Sequence, residues 1–380
     1  MGSENMNNSL LWVLEGVQAM LEKGDRPKGC DLLRRLTDML VFYRKYWNLS
    51  ADWAYEELLR SLDDPADQLL AAAMDADGRG LKTAAVRFAE TAAILGKMPH
   101  YRLVSASCLR KNGELEKVRA LCRDFEPQQP GYHTAMSEIF ECDVAERFWP
   151  QDYYDLLADI HRRRQPRVYL EIGVATGKSL ALARAGTTAL GVDPATAATE
   201  SLVYHSPENS PQLYKETSDD FFADRDVAKE MGRPCFDVAF IDGLHLFDQV
   251  LRDFINVEKF AGPDSVILIH DCLPIDAQVA TRERTTAFWT GDVWKVIPIL
   301  LAVRPDLEIV TLPLPPSGVA LIRRLDPSSR ILERQYTALV QHFDTLEFPG
   351  KWEELCRMVN VLNDRTAFNL DTYLPTGGWR

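Results

Sequence analysis

The stretch that most constrains the fold runs from Arg167 to Asp193, RVYLEIGVATGKSLALARAGTTALGVD. Its apolar run Val168-Tyr-Leu-Glu171 reads as a buried parallel strand, stopped by Gly173 and Gly177. Ser179 follows, then an alanine- and leucine-rich segment expected to be a helix, and a second short strand, Ala189-Leu-Gly-Val192, ends at Asp193. Glycines at a strand-to-helix turn let the backbone come close to a ligand, and an acid about 20 residues on, at the tip of the next strand, suits a ribose diol. This is the layout of a nucleoside site. A dinucleotide fingerprint is not met, because Ala175 and Lys178 interrupt the three-glycine spacing and leave a pyrophosphate a poorer cradle.

Downstream, strands and helices alternate as a parallel sheet demands. Gln212 to Lys215, Phe236 to Ile241 and Ser265 to Ile269 read as further strands, and Val293 to Arg304 as a helix. Glu308 to Leu312 and Gly318 to Arg323, separated by Pro313, Pro315 and Pro316, read as a closing antiparallel pair. The expected fold class is therefore α/β, a Rossmann-like sheet with an all-α N-terminal domain and a helical C-terminal tail.

The N-terminal part carries helical periodicity throughout. Leu10, Leu14, Val17 and Leu21 share one face, as do Leu33, Leu36, Leu40 and Tyr43; Ser50 precedes a helix with Trp53 and Leu58, and Asp64-Pro65 starts another. From Gly80 to Phe125 paired antiparallel helices are expected, with Ala84, Ala85, Phe88 and Ala92 facing Leu103, Ala106 and Leu109, then Leu115, Val118 and Leu121. Their small-residue packing is similar to tetratricopeptide-type repeats, although a full 34-residue consensus is absent. Pro127 and Pro130 mark a linker. The expected domains are 1–130, helical and repeat-like; 131–326, the sheet with its leading helices; and 327–380, an extension with helices around Ile331–Phe343 and Trp352–Leu362, expected to pack on another domain or subunit. The leading helices, Met136 to His161, carry Phe140, Phe148, Trp149, Tyr153 and Tyr154 as candidates for lining a pocket.

Composition removes several functions. A net charge of −13 disfavours a nucleic-acid partner, since that affinity comes from Lys and Arg neutralising phosphates. The apolar runs fall short of a membrane span, and the seven scattered cysteines include no C-x-x-C pair, which speaks for reduced thiols in the cytoplasm rather than a disulfide framework or structural zinc.

Ligands of an open α/β sheet lie outside the carboxyl ends of the strands, and Glu171, Asp193, Asp242, His270 and Asp271 all fall at such ends. Asp242-Gly-Leu-His245 places an imidazole three residues after a strand-tip carboxylate. Histidine is the side chain whose ordinary pKa suits removal of a hydroxyl proton near pH 7.

Glu171-x-Gly173-x-x-x-Gly177-x-Ser179 resembles motif I of class I S-adenosylmethionine-dependent methyltransferases, particularly catechol-type O-methyltransferases. The resemblance implies that Glu171, Gly173, Gly177 and Ser179 hold the methionine part of the cofactor, that Asp193 grips the ribose, and that Asp219 lies near the adenine, with Asp242 also at the cofactor. FIDGLHLFDQVLRD and VILIHDCLP are similar to macrolide-sugar and aminocoumarin-sugar O-methyltransferases. That likeness implies Asp242 and His245 as catalytic residues and Asp242, His270 and Asp271 as ligands of Mg²⁺ or another divalent metal. His270 departs from the family pattern, in which an aspartate is expected. A softer ion such as Mn²⁺, Fe²⁺ or Zn²⁺ would follow if His270 is recruited. Thr286 to Lys295, with Trp289, Gly291, Asp292 and Trp294, is expected to close over the acceptor, or to start a helix with Asp292 as its cap.

The expected activity is methyl transfer to a hydroxyl of a small molecule, sugar or natural product. The alternatives are a peptide carboxylate held by the helical domain, and a partner-binding protein that no longer catalyses. The expected partners are a small-molecule or peptide acceptor and a second copy in a homodimer, with no nucleic acid and no membrane.

Overall fold

The computed structural model describes residues 65–96, 98–196, 211–286 and 288–374. The helices expected before Pro65 lie outside the described residues. The chain divides into two compact units, Met1–Glu146 and Arg147–Arg380.

In the first unit α1 (Pro65–Gly78), α2 (Lys82–Leu95), α3 (Pro99–Lys111) and α4 (Leu115–Cys122) follow one another through short turns. Pro65 and Pro99 open their helices, where a missing N–H is harmless. Gly80 and Gly113 adopt positive φ at the turns. Ala73, Ala84, Ala85, Ala89, Ala92 and Ala106 are buried together with Phe88, Leu109 and Val118, so small side chains let the helices approach closely. The faces expected from the sequence therefore meet, with Leu103, Leu115 and Leu121 at the margin of this core. α5 (Tyr132–Arg147) runs up to the division.

The second unit begins with α6 (Tyr153–Arg164), capped by Asp152, whose carboxylate accepts from Asp155 N at 2.9 Å. Its sheet consists of β1 (Val168–Ile172), β2 (Thr188–Val192), β3 (Gln212–Tyr214), β4 (Phe236–Ile241), β5 (Ala261–His270), β6 (Glu308–Leu312) and β7 (Val319–Arg323), in the order β3-β2-β1-β4-β5-β7-β6. The first five strands pair in parallel, and β7 runs antiparallel to both β5 and β6. The order reverses direction between β1 and β4, which opens the crevice where such sheets bind ligands. Both central strands are buried along their whole length. This is a Rossmann-like sheet preceded in the chain by an all-helical region.

Three local expectations change. No full helix follows Ser179: a single 3-10 turn, Leu180–Leu182, takes its place, because the chain must return to Thr188 within a short crossover and Gly186 turns it at φ 87°. β5 is longer than Ser265–Ile269 and includes His270, with a register irregularity opposite Phe236–Val238. The tail also folds back on its own sheet. Just after the helix Trp352–Met358, the backbone of Asn360 to Leu362 pairs with Thr311 at the edge strand β6 and covers it.

Between α6 and the tail the remaining helices are α7 (Ser218–Asp224), α8 (Val227–Glu230), α9 (Phe247–Glu258) and α10 (Val296–Val303); the tail carries α11 (Ile331–Asp344), α12 (Trp352–Met358) and α13 (Leu370–Tyr373). Among the described residues no helix is long and apolar enough to cross a membrane.

Candidate active site

A cavity of about 780 Å³ opens at the carboxyl ends of β1, β2, β4 and β5. The β1–β4 register, with Ile172 beside Ile241, sets Gly173 against Asp242, and Asp242 N donates to Ile172 O at 2.8 Å. A Cβ at Gly173, φ 86°, would sit 2.0 Å from the Asp242 carbonyl oxygen. The glycine is therefore required by close approach of two strand ends, and the same closeness keeps the cavity wall thin at that point.

At the β2 tip Asp193 holds the turn. Its Oδ2 accepts from Val174 N at 2.9 Å and Ala175 N at 2.8 Å, and Oδ1 accepts from Ala195 N at 2.8 Å. Thr217 caps α7 by accepting from Asp220 N, which brings Ser218 and Asp219 to the wall. Gln249 on α9 donates to Ser218, Asp219 and Asp253.

At the other side four titratable groups meet. His245 Nδ1 lies 3.1 Å from the Trp289 carbonyl oxygen and 3.1 Å from Asp271 Oδ2, while its Nε2 lies 3.4 Å from Asp242 Oδ1. A carbonyl can only accept, so the Nδ1 carries hydrogen and the neutral ring keeps its lone pair on Nε2. His270 Nδ1 faces Asp242 Oδ1 at 3.2 Å, and its Nε2 faces Ser317 Oγ at 3.4 Å. The Ser317 hydroxyl donates to Asp271 Oδ1 at 2.5 Å, which leaves its oxygen to accept from His270. Both nitrogens of His270 thus face acceptors, the arrangement of an imidazolium.

The electrostatics agree with this. Burial pulls His270 down, but Asp242 and Asp271 outweigh it and hold the ring at about 10. Burial likewise opposes charge on His245, and Asp271 and Asp242 raise it to about 9. Burial pushes the Asp242 carboxyl up, yet His270 and His245 beside it keep it well below the usual carboxylate range. Two of the four residues, His245 (φ 57°) and Asp271 (φ 60°), hold the left-handed backbone that non-glycine residues avoid, and such strain gathers at working sites.

The donor set suits a divalent cation. Asp242, His245 and Asp271 each offer an atom within 4.8 Å of the others, and Asp271 Oδ2, on a side chain 2% exposed, makes no hydrogen bond but faces the His245 ring at 3.1 Å. His270, expected as a ligand, stands outside this triangle with its nitrogens turned to acceptors, so Asp242 and Asp271 are the carboxylate donors of the triangle and the Nε2 lone pair of His245 completes it only when not used as a base.

The segment after β5 closes the site as a strap. Trp289 stacks on the His245 ring, with centroids 5.4 Å apart at 22°, and its indole N–H donates to Thr281 O at 2.6 Å. Asp292 is buried and stands at the expected N-cap position, ahead of the Val293–Lys295 turn that leads into α10, but its carboxylate serves another helix: Oδ1 accepts from Phe247 N, the first residue of α9, at 3.0 Å. Arg282 braces the strap by pairing with Asp248 at 2.8 Å.

Of the residues expected at the cofactor, Gly173, Asp193, Asp219 and Asp242 line the cavity. Glu171 stands behind the wall, fully buried, where the Tyr169 and Ser179 hydroxyls each donate to it at 2.7 Å. Gly177 supports the same turn at φ 79°. Of the aromatics ahead of the sheet, Tyr153 reaches the cavity and lies 4.2 Å from the His270 ring. Phe148 and Trp149 pack instead on Trp352 and Phe368 of the tail. Ser317, Gln249 and Asp253 were not singled out in the sequence. Gln249 and Asp253 recur at helical spacing after His245, which was the available signal, whereas nothing local marks Ser317.

The family model described as a methyltransferase domain, Methyltransf_24, matches residues 170–272. No curated protein matches the chain. Among solved structures, the O-methyltransferase TomG from Streptomyces achromogenes, involved in tomaymycin synthesis and bound to S-adenosylmethionine, is 19% identical, with 45% of this chain and 78% of that chain covered and a TM-score of 0.33. An O-methyltransferase from Bacillus cereus in complex with S-adenosylhomocysteine is 14% identical over 55% of this chain and 98% of that one, TM-score 0.36. The S-adenosylhomocysteine-bound methyltransferase PaMTH1 of Podospora anserina is 18% identical over 56% and 96%, TM-score 0.36. The matched segment runs from β1 to the residue after Asp271, so the crevice and the acid–histidine cluster fall within the part of the chain that matches a methyltransferase domain.

Proposed function

We propose that the chain transfers the methyl group of S-adenosylmethionine to a hydroxyl oxygen of a small molecule, sugar or natural product. The observation that carries this reading is the placement of His245, Asp242 and Asp271 in the same cavity as Gly173 and Asp193. The cofactor lies along the β1, β2 and β3 tips, with Asp193 fixing the turn that meets its ribose. The acceptor enters between Tyr153, Phe288 and Trp289, whose rings exclude water and orient it for in-line attack. Asp242 and Asp271 would hold a divalent ion, which would supply a Lewis acid for the acceptor hydroxyl. His245 is neutral above about pH 9, or once a cation held by Asp242 and Asp271 offsets the carboxylates that raise it, and in that form it receives the proton on Nε2 while Trp289 O and Asp271 fix the other side of the ring. His270 holds Asp242 and, through Ser317, Asp271.

The test is methylation of a panel of hydroxyl-bearing acceptors by the wild type and His245→Ala. A rate lower by about 10²–10⁴-fold in the variant, with S-adenosylhomocysteine affinity little changed, supports a positioned base. Full activity of the variant points to an acceptor already ionised, such as a carboxylate. No turnover of any acceptor together with cofactor binding favours a partner-binding role.

A further inference from the structure

β7 runs antiparallel to β5 with His270 opposite Val319, so the loop entering β7 stands against the residues leaving β5. That loop is held by its own backbone: Leu314 N donates to Leu312 O and Gly318 N to Leu314 O, each at 2.8 Å, and Leu273 N donates to Ser317 O at 2.7 Å. Pro315 and Pro316 fix φ just ahead of Ser317. At Gly318, φ 72°, a Cβ would fall 2.5 Å from the Leu273 Cβ, so the loop lies directly on the segment that follows Asp271. Pinned in this way, Ser317 is 0% exposed, and its hydroxyl meets two side chains of the acid–histidine cluster. It donates to Asp271 Oδ1 at 2.5 Å and stands 3.4 Å from His270 Nε2.

A hydroxyl has one hydrogen to give, and here it goes to Asp271. The other group near Oδ1, His270 Nδ1 at 3.4 Å, also faces Asp242 Oδ1 at 3.2 Å, so Ser317 is the closer and undivided partner. With Oδ1 held there, Asp271 cannot rotate its carboxylate without giving up a buried hydrogen bond. Its Oδ2 is thereby kept toward His245, 3.1 Å from Nδ1. Removing the hydroxyl would leave both Asp271 Oδ1 and His270 Nε2 without it in a place that water does not reach.

We propose that Ser317 is a positioning residue: by holding Asp271 Oδ1 it fixes the orientation in which Asp271 meets a divalent cation, so the loop between β6 and β7, 46 residues further along the chain, sets the cation affinity of the cluster. The inference rests on the reading of Asp242 and Asp271 as cation ligands and adds the group that presets one of them.

The test is calorimetric titration of Mn²⁺ into the full chain, as wild type, Ser317→Ala and Ser317→Thr, with a parallel titration of S-adenosylhomocysteine. In Ser317→Ala the Mn²⁺ affinity should fall by about 10–100-fold, the scale for losing a group that orients a metal-binding side chain. Ser317→Thr keeps a hydroxyl on Cβ and should recover most of that loss. S-adenosylhomocysteine affinity should be unchanged in Ser317→Ala, because Ser317 is not among the residues that line the cavity. Ser317→Cys, close in size but a weaker donor, is read in the same way and serves if the alanine variant does not fold. Equal Mn²⁺ affinity in wild type and Ser317→Ala overturns the inference, as does a loss that a folded Ser317→Thr does not reduce. A parallel loss of S-adenosylhomocysteine affinity also overturns it, since that marks a general collapse of the site. Absence of Mn²⁺ binding by the wild type overturns the cation reading and this inference with it, a result distinct from equal binding by the two proteins.

Discussion

Trp289 lies almost flat on His245, 22° between the ring planes, and its own carbonyl oxygen stands 3.1 Å from Nδ1 of the same imidazole. One residue of the strap thus fixes both the tilt and the tautomer of the proposed base. Trp289→Ala removes the stack but keeps the carbonyl, so activity should fall less than in His245→Ala. A loss of about tenfold or more in kcat, with cofactor affinity unchanged by calorimetry, is the expected outcome, set against the 10²–10⁴-fold expected without the imidazole.

Gly291 ties the strap to the cluster from the other side. Its φ is 61°, and a Cβ there would fall 1.7 Å from the His245 carbonyl oxygen, which is backbone and cannot swing away. Gly291→Ala should cost about 1–3 kcal/mol or more in urea unfolding and should lower activity by displacing His245. Wild-type stability in this variant would show that the strap stands further from His245 than described.

Asp193 neutralises three backbone N–H groups of its neighbourhood, at Val174, Ala175 and Ala195. Asp193→Ala leaves the turn without its brace and the ribose without its acceptor. S-adenosylhomocysteine binding should weaken by roughly 1.5–3 kcal/mol, the range for hydrogen bonds to a charged group. Asp193→Asn, which keeps an acceptor for part of the turn, should lose less, and calorimetry orders the two variants.

Glu171 makes stability depend on pH. Burial raises its carboxyl from 4.5 to about 8, against the hydrogen bonds from Ser179 and Tyr169. The folded state therefore holds this proton more tightly than the unfolded chain. The resulting stabilisation is full below about pH 4.5, declines as pH rises toward 8, and is gone above it; the slope is at most about 1.4 kcal/mol per pH unit. In Glu171→Gln that component should vanish, and denaturation midpoints of the two proteins compared across pH 5 to 8 check it.

Asp271 separates a cation-assisted reaction from one that needs no ion. Its buried Oδ2, which makes no hydrogen bond and faces the ionisable His245 ring, makes it a carboxylate placed to bind a divalent ion. If the ion takes part, chelation should abolish turnover and Mg²⁺ or Mn²⁺ should restore the wild type but not Asp271→Ala. Activity indifferent to chelator would leave the cluster to His245 and the two carboxylates alone.

Periodicity was enough to read the sheet and much of the site. Val168 to Ile172 and Phe236 to Ile241 are continuous apolar runs buried on both faces, and a parallel sheet with helices on either side is the arrangement that accepts them. The polar groups ending those runs, Asp193, Asp242 and Asp271, reach one cavity because parallel strands end on the same side. The sequence by itself thus determined the fold class, the crevice at the strand ends and the acids that line it. Distance along the chain does not encode which way a side chain turns, and there the tertiary structure decided. It turned Glu171 inward to Tyr169 and Ser179, and set His270 between Asp242 and Ser317. His245 came to stand beside Asp271 because a left-handed residue after β4 points its ring back at the tip of β5. Asp253 lost its partner in the same way: two donors fill one carboxylate oxygen, and packing against Gly243 leaves the other without one.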